Sequence, residues 1–101
     1  MRNKTFIKVK CALPVSFLRE GKYFIAYSPV LDFSTSGKNF EEAKKRFGEA
    51  VEIFFEEVCQ KGTLDKVLGE LGWQKVQKTW SPPTLVASET RSFNIPLSCP
   101  S

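Results

Sequence analysis

The side chains best suited to nucleophilic or metal chemistry in this chain are three cysteines, because it contains no histidine. Without histidine, Cys–His and Ser–His–Asp sites are excluded, and the most common zinc ligand is missing. The cysteines show no CxxC spacing, and their odd number without a secretory signal argues against a disulfide framework. We expect Cys11 and Cys59 to be structural, in a strand and on the apolar side of a helix, and Cys99 to be exposed and reactive.

Carboxylates and lysines are the remaining candidates for catalysis. A two-carboxylate hydrolase or a lysine-based site stays open, but no spacing in the sequence supports either one. We therefore predict a protein that is not an enzyme, with no catalytic residues, no metal site and no cofactor.

The net charge of +4 is unevenly distributed along the 101 residues. Residues 1–22 carry six basic side chains against one acidic, whereas residues 39–73 carry eight acidic against five basic. Lys4, Lys8 and Lys10 could bind nucleic-acid phosphates. Lysines on an edge strand also prevent aggregation. We favour this second interpretation because no aromatic side chain alternates with Lys8 and Lys10 to stack on bases.

Alternating apolar residues predict the strands that would position any site. Four strands are expected: Thr5–Leu13, Tyr23–Tyr27, Phe33–Ser36 and, near the end of the chain, Phe93–Leu97. Pro14 bends the first one, whose pattern resumes through Phe17, and a hairpin turn follows at residues 19–22. Gly37 is expected to have a positive φ. Pro96 places the last strand at a sheet edge, and the long connection before it favours exchange between protomers.

Two helices are predicted between the third and the last strand. Asn39 and Glu42 form a capping-box-like pair at the start of the first, whose core face has helical spacing: Phe40, Ala43, Phe47, Ala50, Phe54 and Val58. Gly62 ends this helix, Thr63 caps a short second one, and Gly72 ends that. Trp73 is expected to fold back onto the second helix as an apolar contact.

These elements predict a single α+β domain over residues 1–101. Its antiparallel sheet has three to four strands, packed by one long helix and a short second helix in the order β-β-β-α-α-β. No apolar run approaches the ~20 residues of a membrane span, and the basic N-terminus lacks the apolar stretch of a signal peptide. The simplest expectation is a cytoplasmic protein.

The run from Tyr23 to Ala43, YFIAYSPVLDFSTSGKNFEEA, resembles the signature of the HicB-like antitoxin domain. That family shows a hairpin strand ending in Tyr-x-Ala-x-x-Pro, a short Leu-Asp strand, a glycine before the helix cap and Glu-Glu-Ala in the first turn. Leu71-Gly72-Trp73 is similar to the family's usual helix end. The similarity covers about residues 5–73, and the strand at 93–97 fits the family's closing strand.

The resemblance implies a partial RNase H-like or double-stranded-RNA-binding-like fold and a role in neutralising a HicA-type mRNA-cleaving toxin. For the surface that binds the toxin, our candidates are Tyr23, Tyr27, Pro29 and Asp32. A homo-oligomer, dimer or tetramer, is also expected. The family often represses its own operon through a separate C-terminal DNA-binding domain, but here 28 residues follow Trp73 without an amphipathic helical pattern. We therefore do not expect direct DNA binding.

Two other function classes stay open at this stage. One is a small nucleic-acid-binding module that uses the basic N-terminal strand, with Trp73 or Trp80 as a stacking platform. The other is an orphan domain that serves as an oligomerising scaffold. For the antitoxin hypothesis, the exposed run Glu49, Glu52 and Glu56 could complement the basic surface of an RNA-cleaving partner, although such runs are commonly solvated helix faces.

Overall fold

Five strands and two helices make up the fold in the computed structural model, which describes residues 9–98. In chain order they are β1 (Ser16–Glu20), β2 (Tyr23–Ser28), β3 (Phe33–Gly37), α1 (Phe40–Gln60), α2 (Leu64–Glu70), β4 (Gln74–Val76) and β5 (Thr79–Ser81). The α+β class, the long helix and the short second helix are confirmed.

The main sheet has the order β1-β2-β3 with both pairs antiparallel, so β2 is central. A two-residue turn joins β1 to β2, and its first residue, Gly21, has φ +60° as a type II′ hairpin turn requires. The register places Leu18 opposite Ile25 and Tyr27 opposite Ser34. The predicted hairpin turn at residues 19–22 is thereby confirmed.

Helix α1 begins where its cap was predicted. The Asn39 Oδ1 accepts the Glu42 backbone N–H at 2.7 Å. The Glu42 carboxylate in turn accepts the Lys38 backbone N–H at 2.8 Å, one residue before the position that a standard capping box uses. At the other end Gly62 has φ +69°, which supplies the left-handed residue that commonly follows a helix. Both ends of the helix are therefore fixed by local sequence.

Two apolar clusters connect the helices to the sheet. The first joins Ala26 of β2 to Ala43 and Phe47 of α1, and the second joins Val30, Leu31, Leu68 and Trp73. Phe33 packs against both clusters. The predicted apolar face of α1 is buried or half-buried except at Phe40, which is exposed. The predicted contact of Trp73 with the second helix is confirmed.

Two predictions about local geometry are wrong. Gly37 does not have a positive φ. It is instead a point of close approach, because a Cβ there would lie 2.5 Å from the Ala43 backbone nitrogen. Thr63 precedes α2 without a side-chain cap, and its backbone carbonyl accepts the Val67 N–H at 2.9 Å.

The two outer strands of the prediction are also wrong within the described residues. Residues 9–13 carry no regular structure, and residues 5–8 of that strand lie outside the described part. Residues 92–97 form no strand either. Both segments have the alternating pattern, but a strand also needs a neighbour with which to exchange hydrogen bonds. The main sheet therefore has three strands in this part of the chain.

The predictions that Cys11 and Cys59 are buried structural residues are also wrong. Cys11 lies in the segment that is not a strand, and it is exposed. Cys59 is exposed because it lies on the solvent side of α1, beside the buried Val58. Cys99 lies outside the described residues.

A second sheet of two strands, β4 and β5, was not predicted. Its turn residues, Gln77 and Lys78, have φ +50° and +69°, so both central positions are left-handed as in a type I′ turn. The usual sequence signal for that turn is Asn-Gly or Asp-Gly, which is missing here. In the part of the chain that the structure describes, no helix has the length and apolar character to cross a membrane.

Candidate partner-binding surface

The two faces of the main sheet differ in what covers them. Phe24, Ala26 and Ser28 of β2 point toward α1, since Ala26 and Phe24 pack in the cluster with Phe47. Side chains alternate along a strand, so Tyr23, Ile25 and Tyr27 point the other way. We call that second side the open face.

The register extends the open face across all three strands. Residues directly opposite in an antiparallel pair share a face. Its members are Ser16, Leu18, Glu20, Tyr23, Ile25, Tyr27, Ser34 and Ser36. Leu18 and Tyr23 are exposed, and Ile25 and Tyr27 are half-buried. The centre of the open face is therefore apolar and aromatic, with serines along the β3 side.

Hydrogen bonds fix the turn that links β2 to β3. The Ser28 Oγ accepts the Leu31 backbone N–H at 3.1 Å, and the Ser28 carbonyl accepts the Asp32 N–H at 2.8 Å. Ser28 is fully buried, so this side chain braces the turn from inside. Pro29 lies in the same turn and is exposed. Ser28 therefore holds the backbone of the turn through two local hydrogen bonds.

Asp32 closes this turn in an uncommon conformation. Its φ is +57°, in the left-handed region that aspartate tolerates better than most residues. A left-handed residue of this kind persists where the surrounding structure imposes it. Here it directs the Asp32 carboxylate toward the Tyr27 hydroxyl, which donates to Oδ1 at 3.1 Å. The hydrogen bond to Asp32, with burial and the carboxylate charge adding to it, raises the pKa of Tyr27 above its ordinary value of 10.0.

Trp73 supports the turn from 43 residues further along the chain. Its indole Nε1–H donates to the Val30 carbonyl at 2.9 Å, and its ring is buried in the cluster with Val30, Leu31 and Leu68. Phe55 of α1 contacts the same indole edge-on, with centroids 6.1 Å apart. The buried side of the turn therefore rests on both helices, and its other side carries Pro29 and Asp32.

The four residues predicted for partner binding fall into two places. Tyr27, Pro29 and Asp32 lie together at the end of β2 and in the following turn. Tyr23 lies at the start of β2, on the same face but roughly 13 Å from Tyr27 at the rise of an extended strand. Leu18 and Ile25 fill the space between them, and sequence analysis did not select these two. The sequence feature that could have identified them is the two-residue hairpin turn, because it fixes which residues of β1 and β2 lie opposite each other.

The acidic residues of α1 form a separate exposed side. Glu49, Glu52 and Glu56 are exposed, as is Ile53 among them. The ion pairs of α1 in the described region lie at its start, where Lys44 contacts Glu41 and Arg46 contacts Glu42. Among the described residues, the later acidic positions of α1 form no ion pair.

Of the two tryptophans considered as a stacking platform for nucleic acid, the structure argues against Trp73. Trp73 is buried and its indole N–H is already bonded, so the prediction fails for this residue. Trp80 is half-buried, and the Lys75 ammonium lies 5.7 Å from its ring centroid. Lys10 is exposed in the segment before β1, while Lys4 and Lys8 lie outside the described residues.

Comparison with known proteins gives no relative for this surface: no protein-family model, no curated protein and no solved structure matches the chain. Among residues 9–98, no group of three or more cysteine or acidic side chains is placed to hold a metal ion. Any function therefore has to be argued from the residues themselves.

Proposed function

We propose that this chain is a HicB-like antitoxin domain that acts without catalysis, by binding and neutralising a HicA-type mRNA-cleaving toxin. The sequence resemblance supports this proposal through the order and spacing of its parts. Phe24-x-Ala26-x-x-Pro29, which has phenylalanine where the family has tyrosine, covers the end of β2. Gly37 precedes the cap of α1, and Leu71-Gly72-Trp73 follows α2. These three parts thus fall at element boundaries.

The observation that carries the proposal is the Tyr27–Asp32 hydrogen bond at the edge of the open face. It joins Tyr27 and Asp32, two of the residues predicted for partner binding, into one exposed feature. The backbone of the turn that carries this feature is held by Ser28 and Trp73. A preformed aromatic and acidic feature loses little conformational entropy on binding. Tyrosine is also enriched among the residues that dominate binding energy at interfaces.

Charge also supports a basic partner. An RNA-cleaving protein needs a basic surface to hold its substrate. Asp32 next to the open face and the exposed glutamates of α1 offer acidic groups on two sides of this domain. Complementary charge of this kind speeds encounter and fixes orientation. A cytoplasmic location and a homo-oligomeric state, dimer or tetramer, belong to the same proposal, and direct DNA binding does not.

The test is co-purification of the full chain with the product of an adjacent gene that encodes a short, basic, histidine-containing protein. We expect a stable complex and loss of RNA cleavage by that protein when the complex forms. Tyr23→Ala combined with Asp32→Asn, which removes the acidic group and tolerates the left-handed φ, should weaken the complex by roughly 30-fold or more, the loss of about 2 kcal/mol that one dominant contact carries. Gln60→Ala, at the exposed end of α1, is the matched control and should bind normally.

Three results would contradict the proposal. The neighbouring protein could fail to bind, or it could bind and still cleave RNA at full rate. The double variant could also bind as tightly as the parent while keeping its fold, as judged by circular dichroism. Affinity of the chain for RNA or DNA that falls steeply with salt would support the nucleic-acid-binding module instead.

A further inference from the structure

Residues 92–97 have the composition of a strand but pair with no other strand among residues 9–98. Phe93, Ile95 and Leu97 occupy alternate positions, and their side chains are 74%, 72% and 83% exposed. Single exposed apolar residues are ordinary, but three on one side of a short segment form a continuous apolar strip. Such a strip indicates a surface that is covered in another state of the protein.

The chain does not fold this segment back onto its own body. The radius of gyration is 17.5 Å, whereas a compact domain of about 100 residues has ~13 Å. Residues 84–98 are exposed throughout. Pro82 and Pro83, which pass beside Leu13 and Pro14, limit the backbone to extended conformations where the chain leaves the body.

The outer edge of β1 is an unpaired sheet edge among the described residues. In a two-residue hairpin the closing pair, here Glu20 and Tyr23, is hydrogen-bonded, and the pairs then alternate. Phe17 with Ala26, and Arg19 with Phe24, are therefore non-hydrogen-bonded pairs. It follows that the backbone N–H and C=O groups of Phe17 and Arg19 point outward, ready to accept another strand.

The position of Pro96 selects how the segment can pair. Proline has no N–H, so it must point away from the neighbouring strand. Phe93, Ile95 and Leu97 then direct their backbone groups toward β1, opposite Phe17 and Arg19. Since opposite residues share a face, their side chains fall on the α1 side of the sheet.

That side of the β1 edge is apolar. Phe17 and Phe40 meet there edge-on with centroids 4.8 Å apart, and both remain exposed. The outer edge of β3 fits less well. Its outward positions by the same alternation are Ser34 and Ser36, and the Ser36 carbonyl already accepts the Arg46 guanidinium at 3.1 Å.

We infer that residues 92–97 pair antiparallel with the outer edge of β1 in a second copy of this chain, completing a four-stranded sheet. The exchange is reciprocal and closes as a two-fold dimer, since each copy offers one segment and one edge. Phe93, Ile95 and Leu97 cover Phe17 and Phe40 of the other copy. This contact leaves the open face free, so it is independent of the proposed toxin binding.

The first test measures the mass of the full chain by size-exclusion chromatography with light scattering over a range of concentrations. The parent is expected to dimerise. Ile95→Asp buries a charge in the proposed contact and should weaken the dimer by about tenfold or more. Asn94→Asp adds the same charge on the solvent side and should leave it unchanged. A monomeric parent, or equal effects of the two variants, would overturn the inference.

The second test separates exchange from closure within one chain. In the register that places Phe93 opposite Arg19, Asn94 lies opposite Leu18 in a non-hydrogen-bonded pair, whose side chains are the closer kind and come within disulfide reach. Leu18→Cys and Asn94→Cys are made in separate proteins whose native cysteines are replaced by serine, and the two are mixed under mild oxidation. A mixed covalent dimer supports exchange between copies. No dimer in the mixture, with an internal disulfide in the double variant, shows that the strand adds to its own sheet and overturns the proposal.

Discussion

Gly37 and Ala43 approach so closely that α1 can rest on β3 only if residue 37 has no side chain. An added Cβ would lie 2.5 Å from the Ala43 nitrogen and 2.9 Å from the Glu42 carbonyl carbon. Both atoms belong to the helix backbone, so they cannot move away as a flexible side chain would. The cap of α1 and the packing of the helix on the sheet thus depend on one glycine.

We expect Gly37→Ala to lower the free energy of unfolding by ~1–3 kcal/mol, as overpacking at a rigid contact does. Urea unfolding followed by circular dichroism measures the change. Gly48→Ala is the matched control, because nothing lies within 4 Å of a Cβ there and the position is inside α1. That variant should gain about 1 kcal/mol from helix propensity. A neutral Gly37→Ala would show that the close approach is not needed.

The Trp73–Val30 hydrogen bond predicts a second stability effect. Trp73→Phe removes the indole donor and leaves the buried Val30 carbonyl without its partner, a loss of ~1–3 kcal/mol. At ~4–8 °C per kcal/mol for a domain of this size, the melting temperature should fall by at least several degrees. Trp80→Phe, at a half-buried position in β5, should change it far less. Equal effects of the two substitutions would contradict the role given to Trp73.

The sequence predicts those parts of the fold whose pattern has a local cause. The α1 boundaries follow from Asn39 and Gly62, and the β1–β2 hairpin follows from Gly21. The failures concern relations between distant segments. Residues 9–13 and 92–97 alternate as strands do, yet nothing in the sequence says whether a neighbour is available.

The candidate surface also contains some contacts that follow from local sequence and others that depend on distant segments. Tyr27 and Asp32 are close in sequence and were selected together, and the structure brings them into contact. Leu18 and Ile25 enter the open face only through the strand register. Trp73 was assigned to the end of α2, but its role in holding the β2–β3 turn spans 43 residues and required the structure.

The Tyr27–Asp32 pair predicts a late phenol titration. The hydrogen bond to the carboxylate raises the Tyr27 pKa above 10.0, so the pair stabilises the fold below that pH and is lost as pH rises through the higher folded-state value. In a Tyr23→Phe background, ultraviolet absorbance reports Tyr27 alone. Asp32→Asn should return its pKa toward 10.0 by removing the charge. An unchanged titration would show that the pair does not form in solution.

Glu42 predicts an acid-sensitive helix start. The Lys38 backbone N–H, followed by the Arg46, Lys38 and Lys45 charges, holds the Glu42 pKa below 4.5 against the opposing effect of burial. Its contribution is therefore present above pH 4.5 and is lost as pH falls through the lowered value. Glu42→Gln should destabilise the protein at neutral pH, and the difference from the parent should shrink as the pH falls below 4.5 and through the lowered pKa. Glu49→Gln, which removes a carboxylate on the solvent side of α1, is the control and should show no such trend.

The β4–β5 turn carries the last prediction, which concerns strain. Gln77 and Lys78 are both left-handed, a conformation that costs roughly 1–2 kcal/mol per residue for side chains other than glycine, asparagine and aspartate. Gln77→Asn with Lys78→Gly supplies the preferred type I′ pair. We expect a higher melting temperature, because the folded turn loses strain while both side chains are exposed and make no contact in the core. Lys78→Ala, which keeps a Cβ at a left-handed position, should give no such gain. If the alanine variant were stabilised equally, side-chain charge rather than backbone strain would be the cause.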